Sequence, residues 1–332
     1  VQGALHNLTL DWRLSLLNQT LKGEFFYVPN KLKLEIPSNQ LSPKKLVAAL
    51  RSYLPELQLV EITSGDINLQ LSAYYDLNKK VAAVKSTINA LDIAGTNDSV
   101  LFDGVTLDSR LDYRFEKQRL IINRDKQQLK IANLFIGLPL QALQLDAQVN
   151  GFDVIVDHFK ARLLGGRIDF ADFKLKAPSD TLIKLSGLSL SEVIRYSAYP
   201  EIKSKGIIDG VLPLSLTEQG PVIKNGKLSA RYPGGYIKVP ENTVIKTMGR
   251  ENPAFSFTMQ MLSNLQFDTL QGVLDYAADG DSSLKIEMKG INPNVSGTRP
   301  VTFNYSHNEN ILQLLKSLRF NERLIKQIEE RY

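Results

Sequence analysis

Apolar residues recur at every second position over most of this chain. In the stretch 205–239, Ile208, Leu212, Leu214 and Leu216 share one side of a strand, with Asp209, Ser215 and Thr217 on the other. Glu218-Gln219-Gly220-Pro221 forces a turn, and Asn225-Gly226 opens a strand in which Leu228 and Ala230 alternate with Lys227, Ser229 and Arg231. Pro233-Gly234-Gly235 turns again into Tyr236–Val239. Period-two alternation with turn chemistry at each break predicts an antiparallel meander. The pattern repeats upstream in Leu8-Leu10-Trp12-Leu14, Leu32-Leu34-Ile36, Ile67-Leu69-Leu71-Ala73, Leu107–Phe115 and Leu143–Val149, and downstream in Leu284-Ile286-Met288 and Val301-Phe303-Tyr305.

Helical signals are few. Ser42-Pro43 is an N-cap followed by proline at the first helical position, and Pro55 ends the run. Short helices are predicted over Ser191–Tyr199, capped by Ser191, and from Pro253 to about Asn264. Near the end, Ile311, Leu314, Leu315 and Leu318 fall at helical spacing, and Leu324, Ile325 and Ile328 continue beyond Asn321, opposite Lys316, Arg319, Arg323, Lys326 and Arg331. None of these serves as a crossover between strands, so a parallel sheet is not predicted. Residues 161–170 and 230–239 align around paired glycines and both read as strand, hairpin turn, strand. A phosphate-binding glycine loop would need a helix directly after it, whereas here a strand follows.

Composition narrows function more than fold. The 332 residues include 40 basic and 35 acidic side chains, a net +5 spread singly along the polar sides of strands, which gives no nucleic-acid footprint. There is no cysteine, hence neither disulfide nor thiol chemistry. His6, His158 and His307 have no companions at ligand or triad spacing, and Asp279-Gly280-Asp281 lacks the glutamate that closes a calcium loop. No catalytic motif, metal site or cofactor is expected, and the protein is not read as an enzyme. No window reaches the ~18 apolar residues of a membrane span, and no signal peptide precedes Val1, so the chain reads as a soluble fragment, and any anchor would lie upstream.

The order of several motifs resembles the AsmA-like family, and within it the YdbH branch, related to the TamB-type bridge proteins. The residues carrying it are Gly206 to Leu216 in a GxxxGxLPLxL pattern, Ile223-Lys224-Asn225-Gly226-Lys227-Leu228, and Gly234-Gly235-Tyr236-Ile237. Leu164-Gly165-Gly166-Arg167-Ile168, Leu185–Leu188, Gly290-Ile291-Asn292-Pro293, Arg299-Pro300-Val301 and Asn310–Leu315 extend it, from about Ala161 to Tyr332. The resemblance implies an all-β-dominated fold: a long antiparallel sheet curled into an open apolar groove, with a few short helices and a C-terminal amphipathic helical tail. Residues 1–160 are then the N-terminal part of the groove, 161–306 its AsmA-like C-terminal part, and 307–332 the tail.

It further implies a periplasmic segment that carries phospholipid acyl chains between inner and outer membranes, within an inner-membrane-anchored protein. Leu212, Leu214, Leu216, Leu228, Ala230, Leu284, Ile286, Met288, Val301, Phe303 and Tyr305 are the expected lining, each on the apolar side of its strand. Pro300, Val301, Thr302, Phe303, Asn304 and Tyr305 form the candidate edge, where a small outer-membrane lipoprotein could add a strand. Ile311, Leu314, Leu315, Leu318, Leu324 and Ile328 are candidate exit helices. They could equally cover the edge or lie on a membrane surface. A scaffold or chaperone for outer-membrane protein assembly is the alternative reading. A polymer-acting all-β hydrolase is a third, and it would need paired carboxylates.

Overall fold

The computed structural model of the protein describes residues 7–16, 19–98, 100–116, 119–122, 125–150, 153–197, 201–240 and 253–318. Strand accounts for 69% of it, and the strands form one antiparallel sheet that does not close. Nineteen strands are defined among the described residues. The first eight are β1 (Leu8–Leu16), β2 (Gln19–Val28), β3 (Lys31–Leu41), β4 (Val60–Asp76), β5 (Val81–Asn97), β6 (Val100–Glu116), β7 (Arg119–Ile122) and β8 (Asp125–Phe135). Then come β9 (Pro139–Asn150), β10 (Asp153–Leu163), β11 (Gly166–Lys174), β12 (Ser179–Ser189), β13 (Lys203–Lys205) and β14 (Ile207–Thr217). The last are β15 (Gly220–Ala230), β16 (Gly235–Lys238), β17 (Leu265–Tyr276), β18 (Asp281–Ile291) and β19 (Val301–Asn310).

The chain divides into two compact units, one of residues 1–136, 141–159 and 172–176, the other of 137–140, 160–171 and 177–332. In the first, β1 to β6 pair in sequence order, each antiparallel to the next. The three longest strands, β4, β5 and β6, have 17 residues each, a run of roughly 58 Å at ~3.4 Å per residue. In the second unit the long-strand order is β12, β14, β15, β17, β18, β19. Its buried core gathers Leu188, Leu190, Ile208, Phe267, Leu270 and Met288 on one face of that sheet.

Bulges interrupt the alternation at defined places, and neighbouring polar side chains hold them. In β12 the register shifts between Leu185 and Leu188, and Gly187, at φ +73°, donates its N–H to Asp209 Oδ1 at 2.8 Å. Asp209 in turn accepts two hydrogen bonds from Arg231, at 2.6 and 2.7 Å. In β15 the shift lies between Ile223 and Gly226; there Asn225, at φ +53°, donates its N–H to Asp275 Oδ1 at 2.8 Å. A bulge adds a residue to one strand, frees a backbone N–H and bends the sheet. The carboxylates pair those freed donors, so the bends cost little hydrogen bonding.

The helices are short. Helix α1 (Pro43–Leu50) starts as predicted, with Ser42 Oγ accepting the Lys45 N–H at 3.4 Å. Helix α2 (Leu190–Arg195) begins one residue before the predicted cap, because Ser189 holds the extended cap conformation and Leu190 enters the core. Residues 198 and 199 of its predicted extent lie outside the described residues. Helix α3 (Pro253–Leu262) stops short of Asn264. Its C-terminal carbonyls are met by Asn292, a fully buried side chain. Asn292 Nδ2 donates to the Gln260 and Met261 carbonyls at 2.9 and 3.1 Å, and its Oδ1 accepts the Asn294 N–H at 3.0 Å. Helix α4 (311–318) is capped by Asn310, whose Oδ1 accepts the Gln313 N–H at 3.0 Å.

One expected hairpin is not a hairpin. The Gly165-Gly166 turn does reverse the chain, but β15 and β16 do not pair with each other. β16 pairs with β13 and β17, while β15 pairs with β14 and β17. β16 therefore continues the line of β15 along β17 after an interruption at 231–234. The paired glycines serve close approach: a Cβ on Gly235 would collide with the Lys205 carbonyl, and one on Gly234 with that of Phe267. The Gly-Gly pattern alone could not separate a reversal from a kink, since both need a backbone without Cβ.

Candidate functional site

Cross-strand register turns the alternation into continuous apolar rows. In the first unit, one row runs Leu10, Phe25, Leu34, Ala73, Val84, Tyr113 from β1 to β6. The row beside it runs Leu8, Tyr27, Leu32, Tyr75, Ala82, Phe115. Six strands at ~4.8 Å spacing make these rows about 24 Å wide. The face they form is open: Leu10 is 50% exposed and Phe115 46%. Trp12 lies on the same face of β1, and its indole ring fills the space over Gly23.

In the second unit a row runs Leu185, Gly210, Leu228, Gly272, Ile286, Tyr305 from β12 to β19. Leucine and glycine alternate over its first four positions. A Cβ on Gly210 would meet Leu228 and Leu185 side chains, and one on Gly272 would meet Leu228, so leucines lean over the glycines. On one side, Leu188, Ile208, Leu270 and Met288 form the buried core beside α2. On the other side, Leu274 pairs with Leu284, and Leu214 with Ile223 and in turn Tyr276. These residues are half-buried. The face is therefore packed at its α2 end and only partly covered further along the strands.

The expected lining residues fall within this face to different depths. Leu212 and Met288 are buried, and Leu228, Ala230, Ile286 and Phe303 pack against the core. Leu214, Leu216, Leu284 and Val301 are half-buried, and Tyr305 is 44% exposed with its ring stacked on His307. Residues of β12 and β17 in the same rows, Leu185, Gly272 and Leu274, are absent from the sequence-derived set. Glycines read as turn residues, and the bulges shift parity within each strand. The candidate edge residues Val301 to Tyr305 pair along one side with β18; among the described residues no strand is paired on the other side. Of the exit-helix residues, Ile311, Leu314, Leu315 and Leu318 lie on α4, where Leu315 packs against Gly137 and Leu312 against Gly280. Leu324 and Ile328 lie outside the described residues, as does His6.

Among the described residues no three His, Cys, Asp or Glu side chains come together as a metal site. The shifted groups are structural: the Arg231 hydrogen bonds hold Asp209 below the usual carboxylate range, and burial raises Tyr276 above the usual phenol value. Neutral Tyr276 suits an apolar face. Among the described residues no helix is long and apolar enough to cross a membrane.

An open antiparallel sheet with an apolar face that is only partly covered defines a class of protein that offers its greasy side to something else. A family model described as "YdbH-like: Intermembrane phospholipid transport protein YdbH" matches residues 3–332. The chain belongs to this family. It is 27% identical over 186 residues to "Probable phospholipid transport protein YdbH" of Escherichia coli (strain K12), covering 54% of this chain and 20% of that protein. The chain thus aligns with about a fifth of that relative's length. No solved structure matches.

Proposed function

We propose that this chain is a segment of a periplasmic bridge that carries phospholipid acyl chains along its apolar rows, between inner and outer membranes, without catalysing a reaction. The observation that carries the reading is the in-register apolar face, open in the first unit and partly covered in the second. A diacyl phospholipid has on the order of thirty methylenes at about 0.8 kcal/mol each. Moving one through water exposed would therefore cost more than ~20 kcal/mol. An apolar face several strands wide removes most of that barrier while leaving the headgroup in water. Family membership supports phospholipid as the cargo.

The lining is then Leu212, Leu214, Leu216, Leu228, Ala230, Leu284, Ile286, Met288, Val301, Phe303 and Tyr305, joined by Leu185 and Leu274. Strand β19 is the edge at which a small outer-membrane lipoprotein adds a strand, and α4 with the tail beyond it steers the exit. Membrane anchoring comes from sequence outside this segment. Mass spectrometry of lipids extracted from the purified chain tests the cargo. Stoichiometric diacyl phospholipid is expected. Lipid-free protein from cells, which also fails to take up phospholipid from vesicles, would refute it.

A further inference from the structure

The second unit has a feature on its polar face that lipid carriage does not use. Directly behind the apolar rows, one register row runs Lys184, Val211, Lys227, Val273, Lys285, Ser306 from β12 to β19. These side chains line a trough of about 920 Å³. Val211 and Val273 are 44% and 38% exposed and stand between the lysines; Leu182 and Ile207 on the same face are exposed as well.

The charge in this trough is not internally balanced. Its two carboxylates are occupied elsewhere, Asp209 by Arg231 at 2.6 Å and Glu287 by Lys289 at 3.2 Å. Lys184, Lys227 and Lys285 make no ion pair among the described residues, although many basic residues of the other strands do, such as Lys33 with Glu35, Lys85 with Asp112 and Arg167 with Asp169. Lysine often blunts the edge of a sheet, but β15 and β18 are flanked by strands on both sides. Edge protection therefore does not account for Lys227 and Lys285.

The spacing selects a ligand shape. The lysines sit on alternate strands, about 9.6 Å apart along the sheet at ~4.8 Å per strand, with an exposed valine between each pair. A polyproline II segment has three residues per turn and rises ~3.1 Å per residue, so every third side chain returns to the same face after about 9.3 Å. We propose that this trough docks an extended acidic segment of a protein partner, with Asp or Glu at every third position on the lysines and its apolar groups on Val211 and Val273. A single phosphate would not span a row about 19 Å long.

The test uses the full chain and two fluorescein-labelled peptides of equal composition. One is a Glu-Pro-Pro repeat, and the other gathers its glutamates at one end. The repeat should bind on the order of tenfold more tightly than the clustered peptide. Lys184→Gln, Lys227→Gln and Lys285→Gln together should lose on the order of tenfold, the sum of three modest exposed pairs, with unchanged circular dichroism and unchanged lipid content. Equal affinity for the two peptides overturns the proposal, as does undiminished binding by the triple variant. Binding of phosphatidylglycerol vesicles through these lysines, without binding of the repeat peptide, would make the trough a lipid-headgroup surface and also overturn it.

Discussion

Asn292→Asp is the most informative single change to the fold. Asn292 is fully buried, and its Nδ2 gives hydrogen bonds to the last carbonyls of α3 while Oδ1 holds the turn before β19. Aspartate keeps the volume and the bond to Asn294, but places an acceptor against two carbonyl oxygens. It must then stay charged and unpaired or take up a proton. Protonation at pH 7 from an ordinary value near 3.9 costs about 4 kcal/mol, and one hydroxyl proton still serves only one of two carbonyls. We expect a loss of roughly 4 kcal/mol, or about 8–16 °C in the melting temperature of a unit this size. Because the folded-state pKa of the introduced carboxyl would be raised, the variant should recover stability as pH falls toward about 5, opposite to acid denaturation. Asn292→Ala should cost less, since water can enter and bridge the carbonyls. Thermal unfolding of wild type and both variants between about pH 5 and 8 reads all of this. An Asp variant as stable as wild type, or an Ala variant worse than Asp with no pH signature, would show that Asn292 acts through packing.

Three further outcomes rest on the same geometry. Arg231 holds the Asp209 pKa below its ordinary value, so their contribution is present above the unfolded carboxylate pKa near 3.9 and fades as pH falls through the lower folded value. Asp209→Asn should flatten the acid limb of stability between about pH 4 and 2, and an unchanged limb would contradict it. Gly234→Ala places a methyl against the Phe267 carbonyl at φ +97°. It should destabilise by about 1–3 kcal/mol, measured by denaturant unfolding, and a neutral result would mean that β16 is free to move. Gly272→Val sets a branched side chain against Leu228, whose Cβ lies 3.3 Å from the added Cβ, and pushes that leucine out over the apolar face; it should reduce lipid content more than stability, compared by lipid mass spectrometry and melting of the same sample.

The alternation made most of the sheet legible, and with it which side of each strand is apolar. Where alternation misleads, parity is the reason. In β17, Leu265 and Phe267 are inward, then a bulge before Thr269 moves the inward set to Leu270, Gly272 and Leu274. Read with one fixed period, the strand begins only at Leu270. The same shift in β12 hides Leu188 as the continuation of Ile183 and Leu185. Asn292 has no sequence signal beyond its place in a family motif, because its partners are carbonyls of a helix far away along the chain. The lysine row is equally invisible, since it exists only once the register of six strands is known.

If lipid rides on the apolar rows and not elsewhere on the sheet, one strand is enough to show it. Photo-crosslinking residues placed singly at Leu284, Lys285, Ile286 and Glu287 of β18 sample both faces within four consecutive positions. Ultraviolet irradiation in cells, followed by mass spectrometry of the adducts, reads which positions touch phospholipid. Adducts are expected at Leu284 and Ile286, with none at Lys285 and Glu287. Adducts at Lys285 and Glu287, or equal labelling at all four positions, would contradict lipid carriage on the apolar face.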